Sequence, residues 1–205
     1  MNTKRWIIVS GGQTGVDRAA LVAAMSFSMS FGGWVPKGRI AEDGVVPEGF
    51  YAMKELPEGG YRERTRANVR DSDATLILVD KLPLTGGTAL TAETAANLGK
   101  PYKVVNLDEQ GAQREIYDWM MSLEKLPGIA DSVKMNVAGP RESGAPGIFE
   151  KAKTMLTKIF WGFRSYSGGD VSFIDDDGEL IAWSDAEMVP EFFDVKKNVE
   201  AARGE

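Results

Sequence analysis

A glycine-rich stretch with polar side chains, SGGQTGVDR at residues 10–18, directly follows the apolar run WIIV at residues 6–9. Its glycines allow the backbone to turn sharply and let another group come close to the backbone N–H groups. When such a turn leads from a strand into a helix, the free N–H groups and the helix dipole favour phosphate or another anion. The stretch is not a Walker sequence, because G-K-[ST] is absent, and it lacks the G-x-G-x-x-G spacing. It therefore predicts an anion-binding turn, and the alternative is a strand–helix turn without a ligand.

Two further glycine turns follow apolar runs later in the chain: TGGTALTAE at residues 85–93 and NVAGPRES at residues 136–143. The second of these carries Arg141 and Ser143, and a proline-stiffened loop is the alternative interpretation. In open α/β sheets, ligands bind in the crevice beyond the carboxyl ends of the strands. The three turns are therefore expected to face one crevice.

Charged residues lie between these turns, in RERTRANVRDSD at residues 62–73. Helical spacing places Arg64 and Asn68 on one face, so these residues and Thr65 are expected to point towards the crevice. The other arginines are expected on a solvated face: Arg62, Arg66 and Arg70. The loop WVPKGRIAED at residues 34–43 adds Lys37 and Arg39, with an ordinary polar loop as the alternative.

The elements that must position these residues alternate along the chain. Strands are predicted at 6–9, 74–79, 102–107 and 133–139, and helices at 16–29, 61–70, 85–99, 112–125 and 147–160. Each strand is apolar throughout, which is typical of a parallel sheet that helices cover on both faces. The sequence therefore predicts an α/β fold with a doubly wound, mainly parallel sheet over residues 1–160.

Residues 161–205 have a different character and are predicted to form a C-terminal extension. SYSGGDVSFIDDDGELIAW at 165–183 predicts a hairpin around an Asp-Gly turn, and residues 185–202 have helical potential. The acids at 175–179 are consecutive and lack the alternate spacing of an EF-hand loop, so we predict no metal site there.

Composition excludes several classes of chemistry. The 205 residues include no cysteine and no histidine, which excludes disulfides, thiolate catalysis, and cysteine or histidine metal sites. The net charge of −6 argues against a nucleic-acid-binding protein. No apolar run reaches the ~18 residues of a membrane span. We expect a cytoplasmic homo-oligomer that contacts neither nucleic acid nor membrane.

Five stretches, in order from about residue 7 to residue 158, together resemble the molybdenum cofactor carrier family. They are SGGQTGVDRAAL, GGWVPKGRIAEDG, YRERTRANVRDSDATLIL, LTGGTALTAETAANLGKP and NVAGPRESGAPGIFEKA. That family is similar to the Rossmann-like group of lysine-decarboxylase-like, cytokinin-activating phosphoribohydrolases. The resemblance implies a Rossmann-like domain at residues 1–160.

The resemblance implies storage or transfer of the molybdenum cofactor, a pterin with one phosphate and a dithiolene-bound oxo-molybdenum. The pterin supplies the sulfurs, so no protein metal ligand is implied. The glycine turns would take the anions, and Arg18, Lys37, Arg64 and Arg141 would supply charge. The implied partner is a molybdoenzyme or a cofactor-biosynthesis protein. The candidate cofactor-binding residues are Gly11, Gly12, Gln13, Thr14, Gly15, Asp17, Arg18, Lys37, Arg39, Arg64, Thr65, Asn68, Gly86, Gly87, Thr88, Thr91, Arg141 and Ser143.

Two alternatives stay open. The phosphoribohydrolases carry an Arg-Lys pair and then P-G-G-x-G-T-x-x-E, and this chain keeps the arginine as Arg64 and the acid as Glu93. Those two residues would be catalytic in hydrolysis of the N-glycosidic bond of a nucleoside 5′-monophosphate. The chain departs from that pattern at four positions, which favours a binder over an enzyme: Thr65, Thr85, Ala89 and Leu90. The second alternative is a nucleotide-sensing module without catalysis.

Overall fold

A computed structural model of the chain describes residues 5–127, 132–166, 172–174 and 180–183. The strands are β1 (Arg5–Val9), β2 (Ser30–Val35), β3 (Ile40–Ala41), β4 (Gly44–Val45), β5 (Met53–Glu55), β6 (Ala74–Val79), β7 (Tyr102–Asn106), β8 (Ser132–Ala138), β9 (Ser172–Ile174) and β10 (Leu180–Trp183). The helices are α1 (Val16–Ser26), α2 (Tyr61–Arg70), α3 (Gly86–Asn97), α4 (Ala112–Leu123) and α5 (Ile148–Tyr166). Among the described helices, none has the length and apolar character needed to cross a bilayer.

Six strands form one sheet in the order β5-β2-β1-β8-β6-β7, and all its neighbouring pairs are parallel. Strand β8 lies between β1 and β6, with Arg5 opposite Ser132 and Ile77 opposite Ala138. This order brings together the strands that precede the three predicted glycine turns. From β8 the sheet extends outwards in both directions. Open α/β sheets form their ligand-binding crevice at such a central point, beyond the carboxyl ends of the strands.

Helices cover both faces of the sheet. On one face, alternate strand residues such as Ile8, Leu76 and Met135 share a fully buried core with residues of α1, α4 and α5. Alanines that make up much of the buried face of α1 allow it to pack closely along α5. On the other face, α2 packs against α3 and β2. The predicted α/β, Rossmann-like, doubly wound fold is confirmed.

The predicted helices and central strands agree with the structure within a few residues, but the sequence patterns missed the four strands from β2 to β5. Strand β2 contains adjacent glycines, which the pattern analysis treats as a turn. Gly33 is required there because a Cβ at this position would lie 2.1 Å from the carbonyl oxygen of Ser10. The glycines thus allow β2 to approach the end of β1.

The C-terminal part of the chain is described only in pieces. Helix α5 continues past the predicted end at residue 160 to Tyr166. Strands β9 and β10 pair antiparallel, as expected for the predicted hairpin. The Asp-Gly turn at 175–179 and the predicted helix at 185–202 lie outside the described residues.

Candidate functional site

A cleft of about 710 Å³ opens at the carboxyl ends of β1, β8 and β6. Gln13 and Asp17 line it from the first glycine turn, residues 138–141 line it from the third, and residues 79–91 form most of one wall. Helix α2, which packs against α3, also lines the cleft, with residues between Tyr61 and Thr65. The three glycine turns therefore meet at one cleft, although they contribute to it unequally.

The N-terminus of α3 is open to this cleft. The N-cap residue Thr85 makes no capping hydrogen bond, and no hydrogen bond is donated by the N–H groups of Gly86, Gly87 or Thr88 to any described residue. A Cβ on Gly86 or Gly87 would meet no atom within 4 Å. The first turn of this helix thus presents unpaired donors and a positive dipole end to whatever enters the cleft.

Two threonine hydroxyls lie beside this helix end. Thr88 is 8% exposed and Thr65, on α2, is 7% exposed, and both line the cleft. Neither side chain has a hydrogen-bond partner in the described part of the chain, whereas Thr91 donates its hydroxyl proton to the carbonyl oxygen of Gly87. Both hydroxyls belong to residues that line the cleft, so they are available to a ligand that enters it.

The first glycine turn is different, because the protein's own groups occupy the space that its glycines create. A Cβ at Gly15 would lie 2.4 Å from the carbonyl oxygen of Pro140, and a Cβ at Gly11 would lie 1.8 Å from Nη1 of Arg64. The N–H of Val16 donates to Pro140 O at 3.2 Å. At this turn the close approach that glycine permits serves packing between elements of the chain.

Beside Gly11 of this turn, Arg64 forms a buried ion pair with Asp17. Nη1 of Arg64 donates to Oδ2 of Asp17 at 2.9 Å, and the two side chains are 11% and 5% exposed. The N–H of Gln13 also donates to Asp17, at 3.3 Å. Burial raises the pKa of Asp17 above its ordinary value, although the positive charge of Arg64 acts in the opposite direction. The pair links α2 to the first turn of α1.

Glu42 joins the first turn to the third. Its carboxylate accepts hydrogen bonds from the hydroxyls of Thr14 and Ser143, and it forms an ion pair with Arg141 at 3.3 Å. Burial alone would raise the pKa of Glu42, but these hydrogen bonds and the charge of Arg141 lower it. Thr14 and Ser143 face a second cavity of about 650 Å³, and the exposed Arg141 lines the main cleft.

Several predicted site residues lie away from the main cleft. Arg18 binds Asp43 through both Nη atoms, and Lys37 pairs with Glu58 at 2.9 Å. Arg39 donates to the carbonyl oxygen of Met53, and Gly12 lies against Val46. Asn68 accepts a hydrogen bond from Trp34 N at 2.7 Å and donates one to Trp34 O at 3.0 Å, which fixes α2 to β2. The expected cleft contact of Asn68 is thus replaced by a packing role.

The sequence patterns missed three charged residues of the cleft. Arg62, which was expected on a solvated face, is exposed but lines the cleft, as does Lys81. Asp80 directly follows β6, and its Oδ1 atom is buried without a hydrogen-bond partner. The signal for Asp80 was its place at the end of a fully apolar strand, where the crevice of a parallel sheet lies.

The cleft therefore combines cationic and anionic groups. Its cations are Arg62, Arg64, Lys81 and Arg141, and its acids are Asp17, Asp80 and Glu93. Glu93 is exposed at the cleft and makes no hydrogen bond or ion pair with the described residues. Over those same residues, no group of three or more acids lies close enough to hold a metal ion. Such a cleft suits an organic anion that also carries hydrogen-bond donors.

Comparison with known proteins assigns the family. The sequence profile of the circularly permutated YpsA SLOG family matches residues 8–160. The chain is also similar to the crystal structure of a "Putative molybdenum carrier protein" from Syntrophus aciditrophicus SB, with 39% identity and a TM-score of 0.69 over 78% of this chain and 97% of that one. No curated protein matches the chain. The resemblance drawn from the five sequence stretches is confirmed, and the chain belongs to the circularly permutated YpsA SLOG family.

Proposed function

We propose that the cleft binds the phosphorylated pterin of the molybdenum cofactor and carries it without chemical change. The observation that carries this proposal is the uncapped N-terminus of α3 beside Thr65 and Thr88, whose hydroxyls have no partner among the described residues. Helix N-termini with free N–H groups bind phosphate because each N–H donates a hydrogen bond and the helix dipole favours negative charge.

The cleft has the size and charge for such a cargo. Its volume of about 710 Å³ is within the roughly 300–1,000 Å³ that is usual for small-molecule sites. Arg62, Lys81 and Arg141 would supply positive charge for the phosphate and the oxo-molybdenum group. The dithiolene of the pterin holds the metal, so a chain without cysteine or histidine can carry it. Transfer would then require a molybdoenzyme or a cofactor-biosynthesis protein as the recipient.

Recovery of the cofactor is the direct test. Protein purified without oxygen should contain molybdenum by metal analysis and a phosphorylated pterin by native mass spectrometry. Thr88→Val removes one hydroxyl at constant shape, and loss of a hydrogen bond to a charged group costs about 1.5–3 kcal/mol. We therefore expect inorganic phosphate to bind this variant about 10–100-fold more weakly in calorimetry.

Thr94→Val is the matched control, because Thr94 lies on the same helix but does not line the cleft, and its hydroxyl already donates to the carbonyl oxygen of Leu90. This variant should bind phosphate as the wild type does. Equal phosphate affinity in the wild type and Thr88→Val would contradict the proposed anion site. Phosphate binding without any recovered pterin or molybdenum would contradict the carrier function.

One observation supports a second candidate, hydrolysis of nucleoside 5′-monophosphates. Glu93 lines the cleft and its carboxylate has no partner among the described residues, so it is available to stabilise positive charge that develops on a ribose. Against this, Ala89 stands where the phosphoribohydrolases carry the third glycine of their phosphate-binding turn. We expect no base release from nucleoside monophosphates. Release that disappears in Glu93→Gln would instead establish the hydrolase.

A further inference from the structure

Two residues that line the cleft, Arg64 and Asp80, each carry a buried side-chain atom without a hydrogen-bond partner in the described part of the chain. Across the described residues, three buried side-chain nitrogen or oxygen atoms lack one: Arg64 Nε, Asp80 Oδ1 and Gln113 Oε1. The first two belong to residues that line the cleft, and Gln113 lies on α4. An unpaired buried polar atom is costly, and in native proteins such atoms usually find a partner in protein, water or ligand.

The two unpaired atoms require opposite chemistry. Arg64 Nε is a donor, so an anionic ligand group can satisfy it. Asp80 Oδ1 is an acceptor, so it needs an N–H or O–H donor. The cleft cations do not supply this donor, because Asp80 forms no ion pair or hydrogen bond with the described residues. A ligand that satisfies both atoms must therefore carry an anionic group and a donor edge.

We infer that Asp80 recognises the 2-amino-4-oxo edge that pterins share with guanine, an inference that rests on the proposed function. This edge presents a ring N–H and an exocyclic amino group side by side. A carboxylate accepts two parallel hydrogen bonds from such a pair, as it does from the planar fork of an arginine. Phosphate at the N-terminus of α3 would then provide affinity, and Asp80 would provide selectivity for the ring.

Guanosine and inosine 5′-monophosphates make a suitable pair of probes. They share the phosphate and ribose, but the inosine base lacks the 2-amino group. A site built to pair with a donor rejects an analogue without it, because its own polar atom is then left unpaired. By calorimetry, the guanosine compound should bind the wild type at least about tenfold more tightly than the inosine compound.

Asp80→Asn replaces part of the acceptor edge with a donor, so it should reduce the ratio of the two affinities to about one. Its affinity for inorganic phosphate should stay within about twofold of the wild type, because the helix end is unchanged. Asp118→Asn is the matched control. Asp118 lies on α4 in an exposed pair with Arg114, and this variant should keep the wild-type ratio.

The outcomes separate this inference from the proposed function. The role of Asp80 would be refuted if the wild type bound both nucleotides equally, or if the preference persisted in Asp80→Asn. Phosphate binding by the wild type would in either case still support the anion site. If neither nucleotide nor phosphate binds the wild type, the anion site fails, and the role of Asp80 fails with it. Equal affinities in the wild type would refute the role of Asp80 even if Asp80→Asn folds poorly, because that measurement needs no variant.

Discussion

Substitution of Gly11 by alanine should displace the Arg64 guanidinium from Asp17. A Cβ at Gly11 would lie 1.8 Å from Arg64 Nη1 and 2.3 Å from its Cζ, far inside van der Waals contact. Gly11 is not among the glycines with positive φ, so alanine adds no backbone strain at this position. The side chain of Arg64 must therefore move, and Asp17 is left buried without its counter-charge.

The size of the effect follows from the burial of the pair. Breaking a buried ion pair by loss of one partner costs about 3–5 kcal/mol. Burial already raises the pKa of Asp17, so the carboxyl group can take up a proton and recover part of this cost. We expect Gly11→Ala to lower the free energy of unfolding by about 3 kcal/mol, a large part of the ~5–15 kcal/mol of a typical domain.

Urea unfolding in two backgrounds tests this mechanism. In the Asp17→Asn, Arg64→Ala background, the atoms that Gly11→Ala would meet are absent, so the same substitution should cost less than about 0.5 kcal/mol. Gly87→Ala is the control, because a Cβ there meets nothing within 4 Å and its φ is not positive. A cost for Gly11→Ala that is equal in both backgrounds would refute the role assigned to Arg64.

Three further predictions concern stability. Gly15→Ala should destabilise the protein by more than about 3 kcal/mol in urea unfolding, because φ of Gly15 is +72° and the new Cβ would lie 2.4 Å from the carbonyl oxygen of Pro140. If this variant were as stable as the wild type, the turn that contains Pro140 would have to move aside without cost. The pKa of Glu42 lies below its ordinary 4.5 in the folded protein, so the stabilising contribution of Glu42 is present above pH 4.5 and is lost as the pH falls below that value. The difference in unfolding free energy between wild type and Glu42→Gln should therefore shrink below pH 4.5. A difference that stays constant with pH would contradict this prediction. Asn68→Ala should cost about 1–3 kcal/mol because it leaves both backbone groups of Trp34 without their partner; an unchanged urea midpoint would show that water replaces the amide.

The central strands could be predicted from sequence because β1, β6 and β8 are apolar runs bounded by turn signals. Strand β2 could not, because Gly32 and Gly33 serve close packing there and carry no apolar pattern. The short strands β3, β4 and β5 were missed for a related reason: two or three residues are too few to show a period. The C-terminal end of helix α5 was predicted too early, because Trp161 packs on the core and continues the apolar face of the helix.

The candidate site was predictable in location but not in detail. A glycine that makes room for a ligand and a glycine that makes room for an arginine have the same sequence signature. Gly11 belongs to the second kind, and its neighbour Arg64 is far away in sequence. Likewise, Arg18 supplies charge to Asp43 rather than to the cleft, and no local pattern reveals that pairing. The open helix end at Gly86 and Gly87 was predicted because there the relevant signal is local.

The position of β8 has a consequence for biosynthesis. Strands β5, β2 and β1 form one half of the sheet and β6 and β7 the other, and β8 joins them. Strand β1 gains its second neighbour only after β8 has been synthesised, because Arg5 pairs with Ser132 across the sheet. A nascent chain that lacks β8 therefore exposes two unpaired strand edges, on β1 and on β6, and such edges promote association between chains. The strand that completes the cleft is also the strand that removes this hazard, so the chain gains protection from aggregation at the same step of synthesis at which it gains its binding site.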